Sequence, residues 1–347
     1  MTTPTDTQTG TLSRQGELRD LLRDTSRSFY LTLRILPARV REPIGLAYLL
    51  ARATDTVADT GLVPVAERLE ALAVLRDRIL GLRTAPCDFS RLAEAQSGAS
   101  SDAERRLLLR VEPALGLLDV LAPEDRLEVR KVLETITGGQ VLDLQRFGGP
   151  AQGIRALESD AELEDYTYRV AGCVGEFWTR LTRRHCFPEA SLDDGAFLAE
   201  GIRFGRGLQL VNILRDVPKD LQSGRCYLPR QGLAALGLTP EALQDPASGS
   251  RLRPLYLATW KRAMEHLEAG WRYTNTLPRS QYRLRLACAW PVLLGARTLA
   301  LLRDGPVLDV SHRIKVPRHE VRRILWSSIL KLPFRRPWER QFERACR

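Results

Sequence analysis

The sequence lacks the features that mark metal fingers, disulfide scaffolds and membrane spans. Its six cysteines (Cys87, Cys173, Cys186, Cys226, Cys288, Cys346) include no C-x-x-C pair, and its four histidines (His185, His266, His312, His319) include no ligand-spaced pair. Neither a zinc site nor a disulfide framework is expected, and scattered thiols suit a reducing compartment. The first ten residues are rich in Thr, with neither a basic start nor an apolar core, so they do not read as a signal peptide. The longest apolar run, Leu286–Ala296, contains Pro291 and stops at Arg297. A bilayer span needs about 20 such residues. Strand-type alternation of Val, Ile and Thr is almost absent.

What is abundant is Leu, Ala, Arg and Glu at helical spacing. The spacing predicts helices over 14–24, 40–59, 64–82, 103–121, 124–147, 160–184, 193–217, 254–276, 281–303 and 317–331. The expected fold is all-α and single-domain: a disordered N-terminus at 1–11, a helical domain at 12–310 and a basic amphipathic C-terminal tail at 311–347. Apolar residues at 44% suffice for a substantial core.

A formal net charge of +10 invites a nucleic-acid reading, and its location argues against one. Residues 311–347 hold 11 Lys or Arg against 3 Asp or Glu, so the other 310 residues carry only +2. No basic groove, RNA motif or zinc module accompanies the charge, and nucleic acid is not an expected partner. In the tail, basic residues alternate with Ile324, Leu325, Trp326, Ile329, Leu330, Leu332, Phe334 and Trp338. That mixture suits a helix at an anionic membrane surface. The expected location is cytoplasmic, peripheral on the inner face of the cell membrane, and the expected state is a monomer.

Two stretches invert the usual amphipathic pattern. Tyr48, Arg52, Asp55 and Asp59 are spaced by four, three and four, a narrow polar stripe through an otherwise apolar helix. Gln209, Asn212, Asp216 and Asp220 repeat the pattern among Leu208, Leu210, Val211, Ile213 and Leu214, with Pro218 expected to kink the helix locally. Such a stripe must meet water, a partner or a ligand, because an uncompensated buried carboxylate is very costly. Carboxylates at i and i+4 stand about 5–6 Å apart at Cβ and repel unless a cation lies between them. Magnesium fits: it takes oxygen ligands and shares carboxylates with substrate phosphates. Arg52 and Arg215 stand beside the two pairs as guanidinium partners for phosphate. One such pair is usually a solvated helix face. Two, each preceded by Arg on an apolar helix, favour diphosphate and magnesium.

At these residues the sequence resembles the squalene/phytoene synthase family of head-to-head prenyltransferases. The resemblance runs from about Thr25 to about Ile324. It rests on Ser26-Arg27-Ser28-Phe29, Asp55-Thr-Val-Ala-Asp59, Tyr166-Thr-Tyr-Arg-Val-Ala-Gly172-Cys-Val-Gly175, and Asn212-Ile-Leu-Arg215-Asp216-Val-Pro-Lys-Asp220 followed by Gly224-Arg-Cys-Tyr-Leu-Pro229. Cys288-Ala-Trp-Pro291 and Ile314-Lys-Val-Pro-Arg318 look more like squalene synthases than phytoene synthases. The resemblance implies the isoprenoid-synthase fold around a deep apolar cavity, with the acidic motifs on opposed helices at its mouth.

It also implies a squalene synthase that uses two molecules of farnesyl diphosphate, passes through presqualene diphosphate and reduces the product with NADPH. Asp55, Asp59, Asp216 and Asp220 would hold Mg2+, for which Mn2+ could substitute. Ser26, Arg27, Ser28, Arg52, Gln209, Asn212 and Arg215 would bind substrate. Arg27, Arg52, Arg215, Lys315 and Arg318 would meet the phosphates of NADPH. Tyr166 matches a tyrosine assigned to proton handling or cation stabilisation, and Phe29 and Tyr48 match aromatics lining the pocket. Asp143 shares a helical face with Ile136, Gln140 and Phe147, which fits a pocket wall and a buried polar network equally.

Three departures bear on the activity. Ala58 and Lys219 stand where squalene synthases often have acids, and Ala287 stands where the animal enzymes have a Phe associated with the second-step cation. The alternatives are a phytoene or dehydrosqualene synthase, an enzyme yielding presqualene diphosphate or hydroxysqualene, or a non-catalytic assembly factor on the same fold. From periodicity alone Tyr166 would be a core aromatic, His185 and His266 structural, and Gly172 and Gly175 sites of close helix packing.

Overall fold

The computed structural model describes residues 20–25, 29–95, 102–148, 153–311 and 314–347. The chain divides into two compact units, Met1–Leu144 and Gln145–Arg347. The sequence reading instead draws its boundaries at 11/12 and 310/311. Of these sequence expectations, disorder at 1–11 and the roles of Ser26, Arg27 and Ser28 lie outside the described residues.

The first unit is helical: α1 (20–25), α2 (Phe29–Ile35), α3 (Ala38–Asp59), α4 (Val65–Leu80), α5 (Ser90–Ala95), α6 (Asp102–Leu109), α7 (Val111–Val120) and α8 (Pro123–Phe147), whose last residues fall in the second unit. The single helix expected over 103–121 is two, broken at Arg110. Pro113 lies in the first turn of α7, where its missing N–H costs nothing, whereas inside a continuous helix it would break the ladder. Around α3, Leu46, Leu49, Leu50, Ala53, Val57 and Ala58 are all buried. The buried hydroxyls of Thr54 and Thr56 donate to the carbonyls of Ala51 and Arg52, each at 2.8 Å, so they need no other partner. Only the stripe of Tyr48, Arg52, Asp55 and Asp59, with Ala51, keeps appreciable exposure in this stretch. The end of α3 is fixed by buried Arg68 of α4, which donates to the Ala58 carbonyl at 2.6 Å.

The second unit contains α9 (Asp160–Thr167), a π-helical turn (Tyr168–Gly172), α10 (Cys173–Cys186), α11 (Asp194–Gln222), α12 (Arg230–Ala235), α13 (Gly249–Thr276), α14 (Tyr282–Arg303), α15 (Arg318–Lys331) and α16 (Arg335–Ala345). Its only strands among the described residues are β1 (Arg155–Ala156) and β2 (Arg225–Cys226), a two-residue parallel pair. Ser159 and Asp193 cap α9 and α11 by accepting from the backbone N–H of Glu162 and Ala196, each cap contributing about 1 kcal/mol. The polar stretch before α13 forms a 3-10 turn, Pro246–Ser248, that runs into the helix. The helix α11 carries on past Pro218 to Gln222 instead of ending at 217.

Gly175 and Gly205 let α10 and α11 touch at the backbone: a Cβ on Gly175 would collide with the Gly201 carbonyl, and one on Gly205 with the Ala171 carbonyl. Phe197 of α11 stacks on Tyr273 of α13 at 4.3 Å, and the Tyr273 and Thr179 hydroxyls are 3.1 Å apart. The helix α14 is long and apolar enough to cross a bilayer by length and composition, yet 67% of its apolar window is buried inside the protein, as for a core helix.

The basic end folds back onto this unit. Trp338 of α16 is 1% exposed, stacks on Trp271 at 5.4 Å and donates from its indole to Asn275 at 2.7 Å. Trp290 of α14 donates to Ser328 of α15 at 2.8 Å. Trp338 is therefore a core residue, which corrects its place among the tail's lipid-facing side chains: its indole N–H needs the partner that Asn275 supplies.

Candidate active site

On α3 the i, i+3 spacing of Arg52 and Asp55 becomes an ion pair, Arg52 Nη1 to Asp55 Oδ2 at 2.5 Å. The same guanidinium reaches across to Glu104 of α6 through Nη2. Its Nε is buried and has no acceptor, so Arg52 still has a donor to offer a phosphate oxygen. Asp55 is pushed up to about 6, first by burial and then by the charge of Asp59, with Arg52 opposing both. Its side chain nevertheless keeps 42% of its surface. The upward direction does not rest on burial alone, because Asp59 one turn on acts the same way. Tyr48 sits one turn before Arg52, half-buried, with its hydroxyl pushed up chiefly by burial.

On α11 the neighbouring residues Arg215 and Asp216 form a two-point pair, Nε to Oδ1 at 3.1 Å and Nη2 to Oδ2 at 2.5 Å. Gln209 accepts from Asn212 at 3.5 Å, and Asn212 is exposed. Asp220 is half-buried near the end of the helix. Tyr166 at the end of α9 stacks on Tyr227 at 4.7 Å, and Phe147 meets the same ring edge-on at 5.3 Å. Tyr227 follows Cys226, whose thiol burial pushes up to about 12, as it does that of Cys173. Both therefore stay protonated and weakly nucleophilic, Cys226 next to this aromatic cluster.

The remaining expected residues are placed as follows. Phe29 opens α2, and Asp143 is half-buried on α8, two residues before the boundary between the units. Lys315 lies in the segment before α15 and Arg318 is its first residue; both are exposed and make no ion pair among the described residues. His266 accepts from Arg203 at 3.3 Å and is held down to about 4, mainly by burial, so it is a neutral structural acceptor.

Two partners escaped the sequence reading. Tyr227 lay inside a quoted motif, Gly224–Pro229, and so had a signal. Glu104 had none: it reads as an ordinary acid in the first turn of a polar helix.

The donor chemistry suits a hard cation. Among the described residues no three His, Cys, Asp or Glu side chains gather into a ready-made cage. A cation on these helices would draw its other ligands from a diphosphate and water, as magnesium commonly does.

The family model for squalene/phytoene synthase matches residues 22–320. A presqualene diphosphate synthase of Rhodopseudomonas palustris is 32% identical over 253 residues, 73% of this chain and 76% of that protein. One of Zymomonas mobilis is 28% identical over 306 residues, 87% of this chain and 88% of the other. Among solved structures, TcSQS in complex with a ligand superposes with a TM-score of 0.77 at 22% identity, covering 96% of this chain and 91% of that one. Motifs, helical architecture and matched length agree: the chain belongs to the squalene/phytoene synthase family.

Proposed function

We propose that this chain condenses two molecules of farnesyl diphosphate head-to-head, with presqualene diphosphate as the product. The observation that carries the reading is the under-neutralised acidic stripe of α3, where Asp55 is raised toward 6 beside Asp59 and Arg52 keeps an unused buried donor. On each helix the aspartate pair, Asp55 with Asp59 on α3 and Asp216 with Asp220 on α11, would hold magnesium. Magnesium there would neutralise diphosphate oxygens and make the group a better leaving group. Arg52 and Arg215 would orient the diphosphate by charge-assisted hydrogen bonds. The stacked faces of Tyr166 and Tyr227 suit an allylic cation, and the protonated thiol of Cys226 would not intercept it. Tyr166, with its phenol beside that cation, is the proposed proton-handling group.

A second reading takes the reaction on to squalene with NADPH. Lys315 and Arg318, exposed and without carboxylate partners among the described residues, would suit the cofactor's phosphates. Against it stands Ala287, a buried methyl on α14 that offers no aromatic face to a second cation. The relatives' names favour the first reading. The test is incubation with farnesyl and geranylgeranyl diphosphates, each with and without NADPH, followed by mass analysis. Presqualene diphosphate regardless of NADPH is expected; squalene formed only with NADPH would replace the first reading with the second. A forty-carbon product would make the chain a phytoene-type synthase.

A further inference from the structure

A cleft of about 350 Å³ opens where α14, α15 and α16 meet, and Arg323, Ser327, Lys331, Gln341 and Arg344 line it. Its charge is unbalanced. The nearby carboxylate, Glu320, is held by Arg297 through two contacts at 2.6 and 3.3 Å and reaches Arg323 only at 3.8 Å. Arg344 has no ion pair among the described residues, and Lys331 donates only to the Ser327 hydroxyl. The Lys331 ammonium is pushed down, first by burial and then by the charge of Arg344. Two cations thus oppose each other across a space with no anion. Gln341, 5% exposed, lines the same cleft with a buried side-chain Nε2 that has no acceptor. A buried unpaired donor carries a penalty that a bound acceptor would remove.

The outer face of α15 supplies the second observation. Trp326, Leu330 and, just beyond the helix, Phe334 are 65%, 69% and 60% exposed. Trp326 follows Arg323 by three positions and Leu330 follows Ser327 by three, so the apolar strip borders the strip that lines the cleft. Arg322, four positions before Trp326, is exposed on the same helix, and Arg335, paired with Glu339 at 2.9 Å, and exposed Arg336 and Arg340 follow Phe334 on α16. Large apolar side chains framed by cations match a bilayer with an anionic surface: the rings enter the acyl boundary while the cations meet phosphate.

We propose that the cleft of Arg323, Lys331, Gln341 and Arg344 binds the phosphate of an anionic membrane lipid, with Trp326, Leu330 and Phe334 inserted beside it. This goes beyond the condensation reaction and does not depend on it, since vesicle binding needs neither substrate nor metal. The full chain is mixed with vesicles of phosphatidylcholine alone or with phosphatidylglycerol added, and binding is read by flotation. Trp326→Phe is compared with the unaltered chain for quenching by brominated acyl chains.

Binding to the anionic vesicles is expected, with little to the neutral ones. Lys331→Gln with Arg344→Gln should weaken it by about fivefold per cation removed. The quenching difference should identify Trp326 as the inserted indole. Equal binding to both vesicles, or undiminished binding by the double variant, would overturn the proposal. Inorganic phosphate is titrated separately, with the backbone amide signals of α15 and α16 as the readout. Saturation by phosphate at the cleft without vesicle binding would assign the site to a soluble anion and overturn the lipid source. Trp326 and Arg344 are exposed and Lys331 is half-buried, and unchanged helical circular dichroism checks the fold. Truncation at residue 333 would be a poor substitute, because it removes the buried Trp338.

Discussion

On α3, one guanidinium serves two carboxylates: Arg52 reaches Asp55 and Glu104, and Asp59 follows one turn later. On α11, Arg215 gives two contacts to one carboxylate, Asp216, and Lys219 stands before Asp220. Both segments read as Arg beside paired aspartates, yet the first carries surplus negative charge and the second does not. A charge count over the motifs alone already separates them, one net negative charge against none, and Glu104, arriving from another helix, widens the gap. The need for a cation therefore falls most heavily on α3.

The comparison can be broken hardest by neutralising the acids. Asp55→Asn and Asp216→Asn should each lower turnover by about 10³-fold or more, roughly 4 kcal/mol, with helical circular dichroism unchanged. Titration of magnesium against activity should show the larger rise in requirement for Asp55→Asn. Retained turnover in either variant would remove that helix from the metal site.

The arginines come next. A lysine cannot reproduce a forked contact, and Arg52→Lys would loosen two carboxylates where Arg215→Lys would loosen one. Losses in apparent magnesium affinity of about 10- to 100-fold are expected, the greater for Arg52. Equal losses would mean that Glu104 contributes nothing to the difference.

Asp55 sets a pH dependence. A carboxyl raised to about 6 from 3.8 contributes stability that is complete below pH 4 and is lost as pH rises through 6. Magnesium should reverse that loss, because it competes with the proton and binds the ionised form. Apparent affinity should fall about tenfold between pH 7 and pH 5, and the rise in Tm on adding magnesium should shrink with it. A magnesium-induced Tm rise that is flat over this range would contradict the raised carboxyl. The smallest effect belongs to Glu104→Gln. It removes a charge that pushes Asp55 up and leaves Arg52 to Asp55 alone, so the pH midpoint should move down with only a few-fold change in kcat/KM.

Much of this was legible from the residues. The inverted stripe of α3 is seen in space, with apolar neighbours buried and Arg52, Asp55 and Asp59 accessible, because helical periodicity is a local property of the sequence. The expectation of close packing at Gly172 and Gly175 is also met, Gly175 against the Gly201 carbonyl. Short elements were missed: α2, α5 and α12 offer too few turns for a periodic signal. The π-helical turn was missed too, since nothing in Tyr168–Gly172 departs from helical composition. Trp338 shows the other limit. Its flanking arginines are those of a surface helix, and only the distant Trp271 and Asn275 make it a core residue.

The glycine seam between α10 and α11 also decides what the second acidic motif can tolerate over time. Where backbones touch, the distance between two helices is set by main-chain atoms, which every sequence shares, and not by rotamers, which drift with each substitution. A side chain added at the seam itself would therefore displace α11 more than an exchange among the leucines and phenylalanines around it. Asp216 and Asp220, riding on that helix, inherit a fixed station from four residues that have no side chain or almost none: Ala171, Gly175, Gly201 and Gly205.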